Sequence, residues 1–79
     1  MKLQEYLYLN NITTQEFADE LGVTRQSVYN YMTHPSKPNF RIPRISVMKE
    51  IIKLTDNKVT PRDFFEQLES EIYEEFNRN

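Results

Sequence analysis

TTQEFADELGVTRQSVYNYM, residues 13–32, carries two helix starts and one helix stop. Thr13 is placed to accept from the free N–H groups of a first turn, Glu16 to reach back and complete a capping box, and Ile12 to staple onto Phe17. The predicted helix buries Phe17, Ala18 and Leu21. Ala18 has to be small, because two helices that cross steeply over a short turn bring their backbones close. Gly22, the only glycine of the chain, follows Leu21 where a helix stop needs a left-handed residue. That conformation costs a residue with a β-carbon about 1 kcal/mol.

Thr24 caps a second predicted helix, with Val23 placed to staple onto Val28. At about 100° per residue, Val28 and Met32 face inward, Gln26 and Asn30 lie roughly opposite, and Arg25 and Tyr29 sit to one side. The outward face holds side chains that can read a DNA groove. Arg chelates guanine O6 and N7, and Gln or Asn pairs with adenine N6 and N7, each good bidentate contact discriminating by about 1–3 kcal/mol. Thr24 and Tyr29 can add methyl, ring or phosphate contacts. The plainer reading is an αα-hairpin whose exposed face is polar because exposed faces usually are. Against it stands the coincidence of two caps, two staples, one glycine and an Arg-Gln-Asn face within residues 12–32.

Through Ala18, Leu21, Gly22, Val23, Val28 and the triplet Arg25-Gln26-Ser27, the stretch resembles the helix-turn-helix of Cro/cI-type (XRE-like) regulators, the small phage repressors and their bacterial relatives. The resemblance implies a lambda repressor-like fold and base reading at Thr24, Arg25, Gln26, Tyr29 and Asn30. It also implies a phosphate contact at Thr14, with Ser27 grouped among the phosphate contacts. Thr14 stands where that family often has glutamine, and Gln15 beside it can substitute. LTDNKVTPRDFF, residues 54–65, resembles the stretch that closes many Cro-like domains.

With 79 residues the chain has room for one domain. It has no cysteine, which excludes disulfides, thiolate catalysis and zinc-finger chemistry, and its single histidine excludes a multi-histidine metal site. MKLQEYLYLNN, residues 1–11, is amphipathic without a long apolar run or cleavage-site pattern. The expectation is therefore no signal peptide, no membrane span and a cytoplasmic location, nucleoid-associated in a bacterium or phage-encoded in its host. A net charge of −2 runs against DNA binding, since duplex DNA rewards clustered cations through counterion release. The distribution answers the objection. Residues 24–53 carry Arg25, Lys37, Arg41, Arg44, Lys49 and Lys53 against Glu50 alone, six cations to one acid and a net +5. Residues 61–79 carry Arg62 and Arg78 against Asp63 and five glutamates, two cations to six acids and a net −4.

Outside the central stretch, Leu3 and Leu7 space as the buried side of a short first helix ending at Asn10-Asn11, where Tyr6 and Tyr8 cannot both face inward. Residues 33–43 hold three of the four prolines and read as a loop. Phe40 and Ile42 can wrap it onto the core, Lys37 and Arg41 are placed to touch phosphates, and His34 can cap the preceding helix or meet a phosphate. A β-hairpin there lacks alternation and a turn glycine. A fourth helix over about residues 44–54 presents Ile45, Met48 and Ile52 on one face, with Val47, Ile51 and Leu54 beside them. Thr60-Pro61-Arg62-Asp63 starts a last helix whose stripe is Phe65, Leu68, Ile72 and Phe76, with Phe64 and Tyr73 at its edges.

The expected fold is all-α, a compact five-helix domain. Residues 1–60 form the DNA-binding helix-turn-helix part, and residues 61–79 an amphipathic acidic helix of the same domain. Ile72, Tyr73 and Phe76 lie far enough along that helix to form a dimer interface. The expected function is sequence-specific binding of double-stranded DNA by a transcription regulator; the resemblance implies a repressor of phage or prophage character, a homodimer on a palindromic operator. The chain lacks a nucleophile-base pair, a Gly-rich phosphate loop and a metal cluster, so neither catalysis nor a cofactor, metal or small-molecule ligand is expected. The alternative is a protein-interaction module, an antitoxin or anti-repressor that keeps the helix-turn-helix as scaffold and grips a basic partner with its acidic helix.

Overall fold

The structure, a computed structural model, describes residues 1–65. Four α-helices follow one another: α1 Leu3–Leu9, α2 Thr14–Leu21, α3 Arg25–Met32 and α4 Ile45–Leu54. Residues 61–65 are helical again. No strand occurs among the described residues, so the fold is all-α there, and residues 33–43 form turns rather than a hairpin.

Local chemistry accounts for the boundaries of α2 and α3. The Thr13 hydroxyl accepts from the Glu16 N–H at 3.1 Å, and the Glu16 carboxylate accepts from the Thr13 N–H at 3.1 Å, which closes the capping box. The Thr13 N–H and hydroxyl hold the Glu16 carboxyl below its ordinary pKa. Gly22 ends α2 at φ +72°, its N–H and that of Val23 satisfying the Asp19 and Ala18 carbonyls. A β-carbon there would meet nothing within 4 Å, so the backbone conformation alone asks for glycine. Two residues on, the Thr24 hydroxyl accepts from the Ser27 N–H at 3.1 Å and starts α3.

The core takes Leu3 and Leu7 from α1, Phe17 and Ala18 from α2, Val28 from α3, Met48 and Ile51 from α4, then Val59 and Phe64. α2 packs on α3 and on α4, and α1 packs on α3. Ala18 and Val28 are both fully buried, the close approach that a small residue on α2 permits. Leu21 and Met32 are half-buried against this cluster, as are Ile42 and Tyr6, whereas Tyr8 is exposed.

Two expectations need correction. Ile45, expected in the α4 core stripe, is 77 % exposed. The buried line of that helix is Met48, Ile51 and the following Thr55, centred about 90° around the axis from Ile45. Phe64 and Phe65 also exchange roles: Phe64 is buried and Phe65 is 48 % exposed. The rotation of this last turn is set by Asp63, which accepts from the Met1 ammonium at 2.9 Å and from the Thr60 N–H and hydroxyl at 2.8 and 3.1 Å. With Asp63 pinned, the next residue swings into the core and the one after it out. Burial pushes the Asp63 carboxyl up, but the hydrogen bonds from Met1 and Thr60 outweigh it and hold the pKa below the usual aspartate value.

Thr55 was not foreseen as a core residue. Its hydroxyl donates to the Ile51 carbonyl at 2.7 Å and accepts from the Val59 N–H at 3.2 Å, so a buried polar group closes α4 with both functions satisfied. Asp56 and Asn57 then turn the chain at φ +53° and +65°, a region that short Asx side chains tolerate.

Candidate nucleic-acid interface

Because Val28 anchors α3 from below, the opposite side of the helix faces outward. Arg25, Gln26 and Tyr29 are exposed, Gln26 roughly opposite Val28 and Arg25 with Tyr29 to one side, as expected. The Arg25 guanidinium sits over the Tyr29 ring, 5.4 Å from its centroid, which restrains a long side chain while leaving its N–H fork able to donate. One turn of helix apart, Gln26 Nε2 donates to Asn30 Oδ1 at 3.0 Å. That oxygen also accepts from Asn39 Nδ2 at 3.4 Å. Asn30 is half-buried rather than fully outward because the loop returns over it, the Arg41 N–H donating to the Asn30 carbonyl at 3.1 Å. Thr24 is exposed, its hydroxyl committed to the cap and paired with the Ser27 hydroxyl at 2.9 Å. Its methyl group carries what it can offer a base.

Around this face the remaining expected contacts divide. Thr14, the first residue of α2, is half-buried, and Gln15 is exposed with Nε2 donating to Asp19 Oδ1 at 2.9 Å. The second Nε2 hydrogen of Gln15 remains able to donate to a phosphate, with the Asp19 carboxylate beside it opposing an anion there. Lys37 is exposed at a turn whose N–H donates to the His34 carbonyl at 2.9 Å. Arg41 is exposed, with Nη1 donating to the Pro38 and Phe40 carbonyls at 3.0 and 2.8 Å, so the loop holds its guanidinium in place. His34 Nδ1 pairs with the Ser36 hydroxyl at 2.7 Å, and the Thr33 hydroxyl donates to the Tyr29 carbonyl in the last turn of α3 at 2.7 Å. Ile72, Tyr73 and Phe76 lie outside the described residues.

The loop brings together groups that are distant in sequence. Ser27, Asn30, Tyr31, Arg41, Ile42 and Arg44 line a mostly polar cleft of about 280 Å³ along one flank of α3. Among the described residues no carboxylate is ion-paired with Arg25, Lys37, Arg41 or Arg44. Sequence reasoning singled out neither Tyr31 nor Arg44. Arg44 stood out only as one charge of a basic block; the available signal was its spacing from Arg41 across Ile42 and Pro43, and only the return of the loop onto Asn30 gives that spacing a meaning.

No protein-family model matches the chain, and neither a curated protein nor a solved structure matches it. Among the described residues no group of three or more His, Cys, Asp or Glu could hold a metal ion, and no helix is long and apolar enough to cross a membrane.

Proposed function

We propose that this chain is a sequence-specific double-stranded-DNA-binding transcription regulator of Cro/cI type, a repressor of phage or prophage character acting as a homodimer on a palindromic operator. α2 and α3 serve as the helix-turn-helix. Arg25, Gln26, Tyr29, Asn30 and the Thr24 methyl read base edges, while Lys37, Arg41 and Arg44 fix register on phosphates, with Ser27, Thr14 and Gln15 beside them. The observation that carries this reading is the juxtaposition on one side of α3: an exposed Arg-Gln-Tyr face, and a flanking cleft lined by Arg41 and Arg44 without a carboxylate partner among the described residues. Protein surfaces usually offset clustered cations with acids, and a phosphate backbone can do so here through counterion release.

Selection from a random duplex library tests the reading directly. A two-fold symmetric motif should be enriched. Alanine at Lys37, Arg41 or Arg44 should weaken all duplexes alike and flatten the dependence of log affinity on log salt by about 0.9 for each phosphate left without its cation. Retention on heparin at low salt separates this reading from a protein-interaction module, which should flow through. Flow-through with no enriched motif overturns the proposal.

A further inference from the structure

Ile42, which also borders the polar cleft, lines with Ile45, Ile52, Pro61 and Phe65 an apolar groove of about 260 Å³ between α4 and the last described turn, with Lys49 among its lining residues. The groove includes two of the large apolar side chains left exposed, Ile45 and Phe65. Its volume lies just below the roughly 300–1,000 Å³ of small-molecule sites, and it lacks the convergent polar groups that orient a ligand. Such a surface fits apolar side chains of a protein segment, with negative charge nearby to meet the lysine.

We propose that this groove receives residues 66–79 of a second copy of the chain. Those residues hold Leu68, Ile72, Tyr73 and Phe76 among five glutamates and Arg78, a net −4, whereas α4 carries Lys49 and Lys53 against Glu50. The apolar content and the charge of the segment are thus complementary to the groove and its helix. The occupant comes from the second copy because Phe65 is itself a wall of the groove, and between it and Phe76 the chain offers no Gly, Pro, Asn or Asp, and only Ser70, for the tight reversal a return would need. A two-fold pair that exchanges the segments fills both grooves. The inference rests on the self-association in the proposed function and on none of its DNA contacts, so it is tested without DNA.

Sedimentation equilibrium of the full chain should show a dimer. Ile45→Asp, at a site 77 % exposed, should keep the helical circular dichroism and raise the dimer dissociation constant at least about tenfold. Lys49→Glu should weaken association in the same direction, by less. The decisive measurement mixes two damaged proteins. An ¹⁵N-labelled variant with Ile72→Asp and Phe76→Asp keeps its groove, and unlabelled Ile45→Asp keeps its segment. Titrating the second into the first should shift the amide resonances of Ile45, Lys49 and Ile52. A parent that stays monomeric, an Ile45→Asp variant as dimeric as the parent, or a titration that leaves those amides unmoved would each overturn the proposal. A failure to bind DNA alongside a positive titration would overturn the proposed function and leave this inference standing.

Discussion

α3 buries Val28 and turns Arg25, Gln26 and Tyr29 to solvent, whereas α4 buries Met48 and Ile51 and leaves Ile45 at an apolar edge. Their starts differ in the same sense. Thr24 caps α3 with its side chain, and Arg44 at the head of α4 makes no side-chain cap bond. One helix is held by a local hydrogen bond and a single deep anchor, the other by the burial of an apolar stripe. The difference teaches where each is free to interact. The outward face of α3 takes little part in stability and is available for polar recognition; the edge of α4 is apolar, and water covers it poorly.

The largest effect that tests this contrast is on stability. Ile51→Ala should cost about 2–5 kcal/mol in chemical denaturation, through the forfeited transfer energy and the cavity left behind. Arg25→Ala should stay within about 0.5 kcal/mol of the parent. Equal destabilisation by the two would erase the distinction between the helices.

Next in size is recognition. Alanine at Arg25, Gln26 or Asn30 should each remove about 1–3 kcal/mol of discrimination between operator and scrambled duplex, with circular dichroism unchanged. If all three variants prefer the operator as strongly as the parent, the reading face lies elsewhere.

The caps sharpen the comparison further. Thr24→Ala should destabilise by about 1 kcal/mol, while Arg44→Ala should leave stability within about 0.5 kcal/mol and show its effect in the salt dependence of DNA binding. A destabilised Arg44→Ala would mean that α4 depends on its start as α3 does.

The smallest effect concerns pH, at the turn that lets Phe64 into the core. The Asp63 carboxyl has a folded pKa below its unfolded one. Its contribution is therefore fully present above the unfolded value of about 3.9 and is lost as pH falls through the lower folded value. Asp63→Asn should cost about 0.5–1 kcal/mol at neutral pH. Thermal unfolding of the variant should also fall less steeply than that of the parent below about pH 4. Identical curves would show that the clamp from Met1 and Thr60 contributes nothing to holding Phe64 inward.

Thr13, Glu16, Gly22 and Thr24 were legible in the sequence because each of their interactions closes within a few residues. The candidate reading face was legible for a related reason: Val28 and Met32, the apolar residues of α3 that are not tyrosines, lie one turn apart, so its period leaves one choice of inward side. α4 and the turn at residues 61–65 offered no such choice. Apolar residues cover more than half of α4, at Ile45, Val47, Met48, Ile51, Ile52 and Leu54, and two phenylalanines stand side by side at 64 and 65. Periodicity admits several rotations of such a segment about its axis.

The sequence by itself thus determined helix type, the starts and stop of α2 and α3, and the polar character of one exposed face, because capping and glycine stops are settled by neighbours along the chain. Only the tertiary structure decided that Ile51 rather than Ile45 enters the core, that Phe64 rather than Phe65 does, that Thr55 is buried, and that Arg44 joins Arg41 beside α3. Each of those outcomes depends on the rotation of a helix or the path of a loop, and both are set by contacts between residues far apart in the chain: α2 against α4, Arg41 on Asn30, Met1 on Asp63. A single residue step turns a helix by about 100°, enough to move a side chain from the core to the surface with no change in the local pattern that announced the helix.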